Sequence, residues 1–313
     1  MKQALVTGAN GFLGSHLVRH LVAQGVAVTA IDREGCNDRL PQNPLVRFVP
    51  CDLKDILQLG TKICPTKPDT FYHLAWQGVS PDCRDNFDMQ LENVGYCLDC
   101  VRLAARLGAK RFVLPGSTME YLYNDAPIDE TSRPTPQNAY GSAKVAARFL
   151  CQQLSSSLGV YFIYTVLASL YGIGREDSNV VFYTIDCLLK GKRPSLTKLE
   201  QKWDFLHVQD AAEALFAIGQ KGRDGGFYAI GNGENLPLAS YLYMIRDIIN
   251  PALPLGIGDI PYTSEKLPNS AINTAALRNE IGFVPKISFR EGIAQVIAYY
   301  KDKYKEGKQE QHE

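Results

Sequence analysis

The chain lacks the features that would put it in a membrane or on a polyanion. None of its apolar runs reaches the roughly 18 residues a bilayer crossing needs. Its opening, "MKQALVTGAN", has neither the charged start nor the long apolar stretch of a secretory leader, so a cytoplasmic protein without membrane contact is expected. Neither sign of charge is in excess, with 33 Lys and Arg against 33 Asp and Glu. Without a general basic field, nucleic acid is not an expected partner, and any bound anion must be held locally. The 8 cysteines are scattered over 313 residues, which suits reduced thiols better than a disulfide framework. Cys97 and Cys100 form a C-x-x-C, but no second pair follows and the segment has helical periodicity, so they read as helix filler. His73 and His207 lie in strand-like runs without a further ligand at metal spacing, and no metal site is expected. No internal repeat is found.

What is present is an alternation. "QALVTG", "VAVTAID", "VRFVPCD", "TFYHLAW", "KRFVLPGS" and "VYFIYTVLASL" read as strands. Between them "FLGSHLVRHLVAQG", the 55–64 region, "NFDMQLENVGYCLDCVRLAARLG" and "YGSAKVAARFLCQQLSSSLG" carry apolar residues at three- and four-residue spacing, and Gly25, Gly108 and Gly159 supply left-handed helix stops. This is the pattern of an α/β fold whose parallel sheet is covered on both faces. After Gly172 the rhythm breaks at Pro194, Pro237, Pro251, Pro254, Pro261 and Pro268, which suits a smaller irregular lobe. "WDFLHVQDAAEALFAIG" and "GFYAIGNG" look as if they return to the sheet, and the polar end, 301–313, is expected to be a frayed tail.

"TGANGFLG" stands where the first strand meets the first helix. Gly8, Gly11 and Gly14 let the main chain turn tightly against a pyrophosphate, and the helix start supplies N–H donors. Asp32 ends the second strand at the distance expected for an acid holding a ribose diol, and Asp52 ends the third, toward the adenine side. Phe12, Leu13, Leu53 and Ala75 complete the residues assigned to the cofactor. A carboxylate repels a 2′-phosphate, so NAD is favoured; Arg33, next in line, keeps NADP open.

"AYGSAK" puts Tyr140 and Lys144 four residues apart on one helical face. A phenol normally ionises near ~10, and a fixed neighbouring cation favours the phenolate, so Tyr140 is a candidate acid/base for a hydroxyl proton while hydride moves at a nicotinamide. "GSTMEY" sets Ser117 at the carboxyl edge of the sheet, where its hydroxyl can bond the same substrate oxygen.

With these, "HLAWQGV", "SLYGIG", "WDFLHVQDAAEA" and "IGFVPKISFREGI" occur in the order found in the extended short-chain dehydrogenase/reductases. The chain resembles that family, the nucleotide-sugar epimerases, 4,6-dehydratases and ketoreductases, to about residue 300. The resemblance implies a Rossmann-type doubly wound parallel sheet with a smaller mixed C-terminal substrate lobe: residues 1–172 binding NAD(P), with 203–231 returning to them, and 173–202 with 232–300 receiving a nucleoside-diphosphate sugar. It implies Ser117, Tyr140 and Lys144 as the catalytic trio, with Lys144 also on the nicotinamide ribose, and a homodimer built through the "ENVGYCLDCVRLAARLG" helix and the helix carrying Tyr140. Thr118, Trp76, Ser169 and Trp203 are the candidate substrate contacts.

Departures narrow the reaction. The dehydratases follow the catalytic hydroxyl with Asp-Glu; here Thr118 and Met119 follow, and a thioether abstracts no proton. The 3,5-epimerase/4-reductases use Cys at the Met119 position and His where Gly174 stands. Redox at C4 remains, as 4-epimerase or 4-ketoreductase. Trp203 stands where related enzymes often carry Arg, and Ser169 where Asn is usual, leaving Lys198, Lys202, Arg193 and Arg175 as candidate diphosphate cations. A cofactor-binding regulator without turnover, or a reductase of a non-sugar carbonyl, are the alternatives.

Overall fold

The computed structural model describes residues 1–35, 37–60, 63, 67–175, 179–262 and 267–309. Six β-branched or aromatic runs form parallel strands: β1 (Gln3–Thr7), β2 (Ala27–Asp32), β3 (Val46–Pro50), β4 (Thr70–His73), β5 (Arg111–Ser117) and β6 (Tyr161–Leu167). Gly226–Ile230 joins β6 as a seventh, and the order across the sheet is β3, β2, β1, β4, β5, β6, seventh strand. The order reverses between β1 and β4, and ligands in such sheets bind in the crevice beyond the strands' carboxyl ends at that point.

The helices α1 (Phe12–Ala23), α2 (Phe87–Leu107), α3 (Ala139–Leu158), α4 (Val180–Leu189), α5 (Val208–Lys221), α6 (Leu238–Ile249) and α7 (Phe289–Gln309) complete the chain. α1 packs with α5, and α2 with α3. Both faces of the sheet are thereby covered, which is why β1 is buried along its whole length. Gly25, Gly108 and Gly159 have φ of 73°, 68° and 71°, the left-handed stops the sequence suggested.

A second apolar cluster gathers α4, α6, α7 and short strands around Phe205, Tyr241 and Phe289, whose ring centroids lie 4.8 to 5.4 Å apart. Asp204 joins it to the sheet: its buried carboxylate accepts the main-chain N–H of Asn232 at 2.8 Å and of Gly233 at 2.6 Å.

Three expectations need correction. The run 160–170 is not one strand: Ala168 N–H bonds Ile230 O, whereas Ser169 N–H bonds Asp204 O, so Ser169–Tyr171 leaves the main sheet and pairs with Phe205–His207. The helix expected over 55–64 is a 3-10 turn, Leu53–Gln58; 61, 62 and 64 lie outside the described residues. The expected tail from 301 is helical through Gln309, where the Tyr304 hydroxyl donates to Asp186 of α4. No helix among the described residues is long and apolar enough to cross a membrane.

Candidate active site

The turn from β1 into α1 exists only because two positions carry no Cβ. Gly8 has φ +65°, and a Cβ there would lie 2.7 Å from the Ala75 nitrogen just beyond β4. At Gly14 a Cβ would lie 2.0 Å from Gly8 O. Gly11 N–H donates to Gly8 O at 3.1 Å, and Phe12 and Leu13 open the helix, so the first N–H groups of α1 face a side-chain-free cradle suited to a pyrophosphate.

Asp32 stands beside this cradle. Its two oxygens accept main-chain N–H from Asn10 and from Arg33, each at 2.9 Å, and Asn10 in turn bonds Asp38 and Arg39, which stitches the loop after β2 to the glycine turn. A carboxylate has about four acceptor positions, so two remain for a ribose diol. Asp52 caps the 3-10 turn by accepting Lys54 N–H at 3.1 Å, with Leu53 buried behind it. The Arg33 side chain is on the exposed surface. A bare cradle, an acid beside it and a capped turn at the next strand fit a dinucleotide.

Ser117 ends β5, and its hydroxyl accepts Met119 N–H at 3.2 Å. Asn138 caps α3 by accepting Gly141 N–H at 2.7 Å, and a Cβ at Gly141 would lie 2.6 Å from Met119 O. That close approach presses the first turn of α3, with Tyr140, against the end of β5. Tyr140 N–H donates to Arg84 O at 3.0 Å, which fixes the start of the helix from the other side.

Ser117, Tyr140 and Lys144 are thus brought together, and Trp76 joins them. Its ring stands edge-on to Tyr140 at 5.9 Å, and its N–H is held by Gln90 at 2.9 Å. Lys144 is buried, with Nζ donating to Pro115 O at 2.9 Å and lying 3.7 Å from the centre of the Trp76 ring. From the four-residue spacing this ammonium is the expected activator of the phenol. In the structure burial is the larger effect: it pushes Tyr140 up to about 12, the Ser117 hydrogen bond pulls it back, the Glu120 charge raises it and Arg84 lowers it. Burial likewise brings Lys144 down to about 8, opposed by Cys97 and Glu120.

The remaining candidates fall elsewhere. Thr118 is buried in the turn after Ser117. Ser169 and Trp203 form a pair of their own, the indole N–H donating to the serine hydroxyl at 2.8 Å. Of the candidate cations, Arg193 is engaged by Asp259, and Arg175 donates to Leu170 O with its guanidinium 5.8 Å from the centre of the Phe12 ring. Glu120, Gln90 and Arg84 also border this cluster and were not among the candidates. Glu120 had a visible signal, the Ser-x-x-Glu spacing of a capping box. Gln90 and Arg84 had none, because their contacts come from distant segments.

Known proteins bear on this geometry. Over 325 residues the chain is 27% identical to UDP-glucose 4-epimerase from Mycolicibacterium smegmatis, covering 96% of this chain and 99% of that one. It is 26% identical to dTDP-glucose 4,6-dehydratase from Escherichia coli, covering 95% and 92%. Its fold matches UDP-N-acetylglucosamine 4-epimerase from Methanobrevibacter ruminantium with a TM-score of 0.85 at 20% identity, over 96% of this chain and 99% of that one. The model of the NAD dependent epimerase/dehydratase family matches residues 4–231, where the glycine cradle, Asp32 and the Ser117, Tyr140 and Lys144 cluster all lie, and the chain belongs to that family.

Proposed function

We propose that the protein carries out NAD-dependent oxidoreduction at C4 of a nucleoside-diphosphate sugar, as a 4-epimerase or a 4-ketoreductase, in the cytoplasm. The observation that carries this reading is the convergence of Ser117, Tyr140 and Lys144 at the carboxyl end of β5, on the sheet edge that also bears the glycine cradle. NAD, when bound, supplies the hydride acceptor and, reduced, the donor. It would be held by Gly8, Gly11, Phe12, Leu13, Gly14, Asp32, Asp52, Leu53 and Ala75. The chain's own side chains handle the proton. Tyr140, as the phenolate, takes the proton of the C4 hydroxyl as that carbon is oxidised and, as the phenol, returns it on reduction; Ser117 bonds the same oxygen, and Lys144 would hold the nicotinamide ribose.

Loss of water across the sugar is disfavoured by the turn after Ser117. Thr118 and Met119 offer no acid or base, and the next carboxyl, Glu120, is fully buried and engaged by the Tyr164 hydroxyl. Met119 and Gly174 likewise disfavour double epimerisation. On this reading residues 173–202 and 232–300 receive the sugar nucleotide, with Trp76, Thr118, Ser169 and Trp203 in contact with it. α2 and α3 form a homodimer contact, supported by the exposed Phe87, Leu91, Phe149 and Leu150 on these two helices.

The test is incubation of the purified protein with UDP-glucose or dTDP-glucose in the presence of NAD, and with GDP- or dTDP-linked 4-keto sugars in the presence of NADH or NADPH, with products read by proton NMR. Interconversion of C4 epimers, or reduction of one keto sugar, is expected. Tight NAD binding with no turnover across the panel would overturn the reading in favour of a cofactor-binding regulator.

A further inference from the structure

The turn after Ser117 is built on a carboxyl group that the proposed chemistry does not use. Glu120 is completely buried. Its Oε1 accepts the Ser117 main-chain N–H at 2.6 Å and the Tyr164 hydroxyl at 2.8 Å, while Oε2 is buried without a hydrogen-bond partner. Gly116 lies flat on this group: a Cβ there would stand 2.3 Å from Oε1 and 2.2 Å from the Tyr164 oxygen. The Tyr164 hydroxyl also reaches Lys144 O at 3.4 Å, so one carboxyl ties β5, β6 and α3 together beneath the trio.

Hydrogen bonding alone does not call for an acid here, because a glutamine oxygen accepts the same two bonds. A buried carboxyl without a compensating cation is costly. Two cations face it, Lys144 and Arg148, both from α3. Arg148 is already engaged: it donates to the Tyr121 hydroxyl at 2.9 Å and lies over the rings of Tyr164 and Phe227. Lys144 has the Pro115 carbonyl and the Trp76 ring, neither of which neutralises its charge. The other titratable groups around the pair are Tyr164 on β6, Tyr140 on α3, Tyr121 in the turn itself and Cys97 on α2 facing Lys144, with Arg84 facing Tyr140.

We propose that Glu120 is a positioning residue of this site: its carboxylate fixes the Ser117 main chain against Tyr164 and is the buried negative charge that balances the Lys144 ammonium. The role rests on the reading that Lys144 and Tyr140 carry the chemistry. Burial brings Glu120 up to about 7 and Lys144 down to about 8. An ionised Glu120 holds Lys144 higher and also raises Tyr140. Deleting the charge while keeping the shape therefore moves both groups the same way, toward lower pH.

Glu120→Gln does this. Carbon-13 lysine NMR of the full chain, with the Lys144 signal assigned by its loss in Lys144→Met, is expected to show Lys144 titrating about one pH unit or more lower in Glu120→Gln, with cooperative unfolding retained. Glu120→Asp keeps the charge and restores most of that shift even where turnover falls. An unmoved Lys144 titration in Glu120→Gln overturns the proposal. If Glu120→Gln does not fold, carbon-13 carboxyl NMR of the wild-type chain decides: a glutamate titrating near neutrality and moving in Lys144→Met supports the pairing, and its absence rejects it. With any sugar nucleotide that turns over, both limbs of the kcat/KM profile move to lower pH in Glu120→Gln with KM unchanged. The NMR needs no substrate, so failure of the C4 reaction and failure of this pairing are separate results.

Discussion

The Lys144 ammonium lies 3.7 Å from the centre of the Trp76 ring and 5.8 Å from that of Tyr140. A desolvated cation over an indole face gains up to about 2 kcal/mol, so Trp76 helps to keep this buried lysine charged. Trp76→Leu is expected to lower the Lys144 titration further below its value of about 8, and Trp76→Phe to lower it less. The alkaline limb of turnover, or lysine NMR, reads the difference.

Tyr140→Phe removes the proposed proton carrier and keeps the ring that stands edge-on to Trp76. Turnover is expected to fall by roughly 10²- to 10⁴-fold with NAD affinity changed only a few-fold, as measured by steady-state kinetics and by fluorescence titration with NAD. Activity like that of the wild type would remove Tyr140 from the mechanism.

Gly14→Ala is expected to abolish NAD binding and to lower the melting temperature, because the new Cβ would sit 2.0 Å from Gly8 O, deep inside van der Waals contact with main chain that has nowhere to move. Gly25→Ala is the control. It is strained only by its left-handed φ, with open space around the new methyl, and is expected to cost about 1 kcal/mol while leaving NAD binding intact.

Ser169→Ala leaves the Trp203 indole N–H without its partner. A loss of about 1 kcal/mol is expected, appearing as a raised KM for the nucleotide sugar more than as a lowered kcat if Trp203 lines the substrate cleft. A double-mutant cycle with Trp203→Phe reads the coupling: the effects of the two changes should not add.

The stability of the wild type should depend on pH through Glu120. Its folded value, about 7, is raised by burial above the ordinary 4.5, so the folded protein holds this proton more tightly than the unfolded chain does. That contribution is complete below 4.5 and is lost as pH rises through 7, a decline of roughly 3 kcal/mol across the window. Glu120→Gln lacks the term, so its denaturation midpoint should gain on that of the wild type between pH 5 and 8. A constant difference across that range would contradict the assignment.

Much of the site was legible because its signals are local. The glycine turn, Asp32 at the end of β2, and the shared helical face of Tyr140 and Lys144 depend on neighbours within a few positions, and periodicity reads those well. The run 160–170 was harder: its residues are equally strand-forming on both sides of Ala168, and the break comes from a change of partner, Ile230 before and Asp204 after. Ser169 and Trp203 were two separate departures from the usual pattern in the sequence. They meet as a donor and acceptor because Ser169–Tyr171 pairs in parallel with Phe205–His207.

The order of residues therefore established which groups are available: a turn bare of side chains, an acid at the end of the next strand, and a hydroxyl, a phenol and an amine near one strand end. The energies of those groups were decided by packing. Tyr140 is raised, Lys144 is lowered, and Glu120 lies beneath both, because α2, α3, β4 and β6 close over them and exclude water. Desolvation depends on segments far apart in the chain, and no short stretch of sequence carries it.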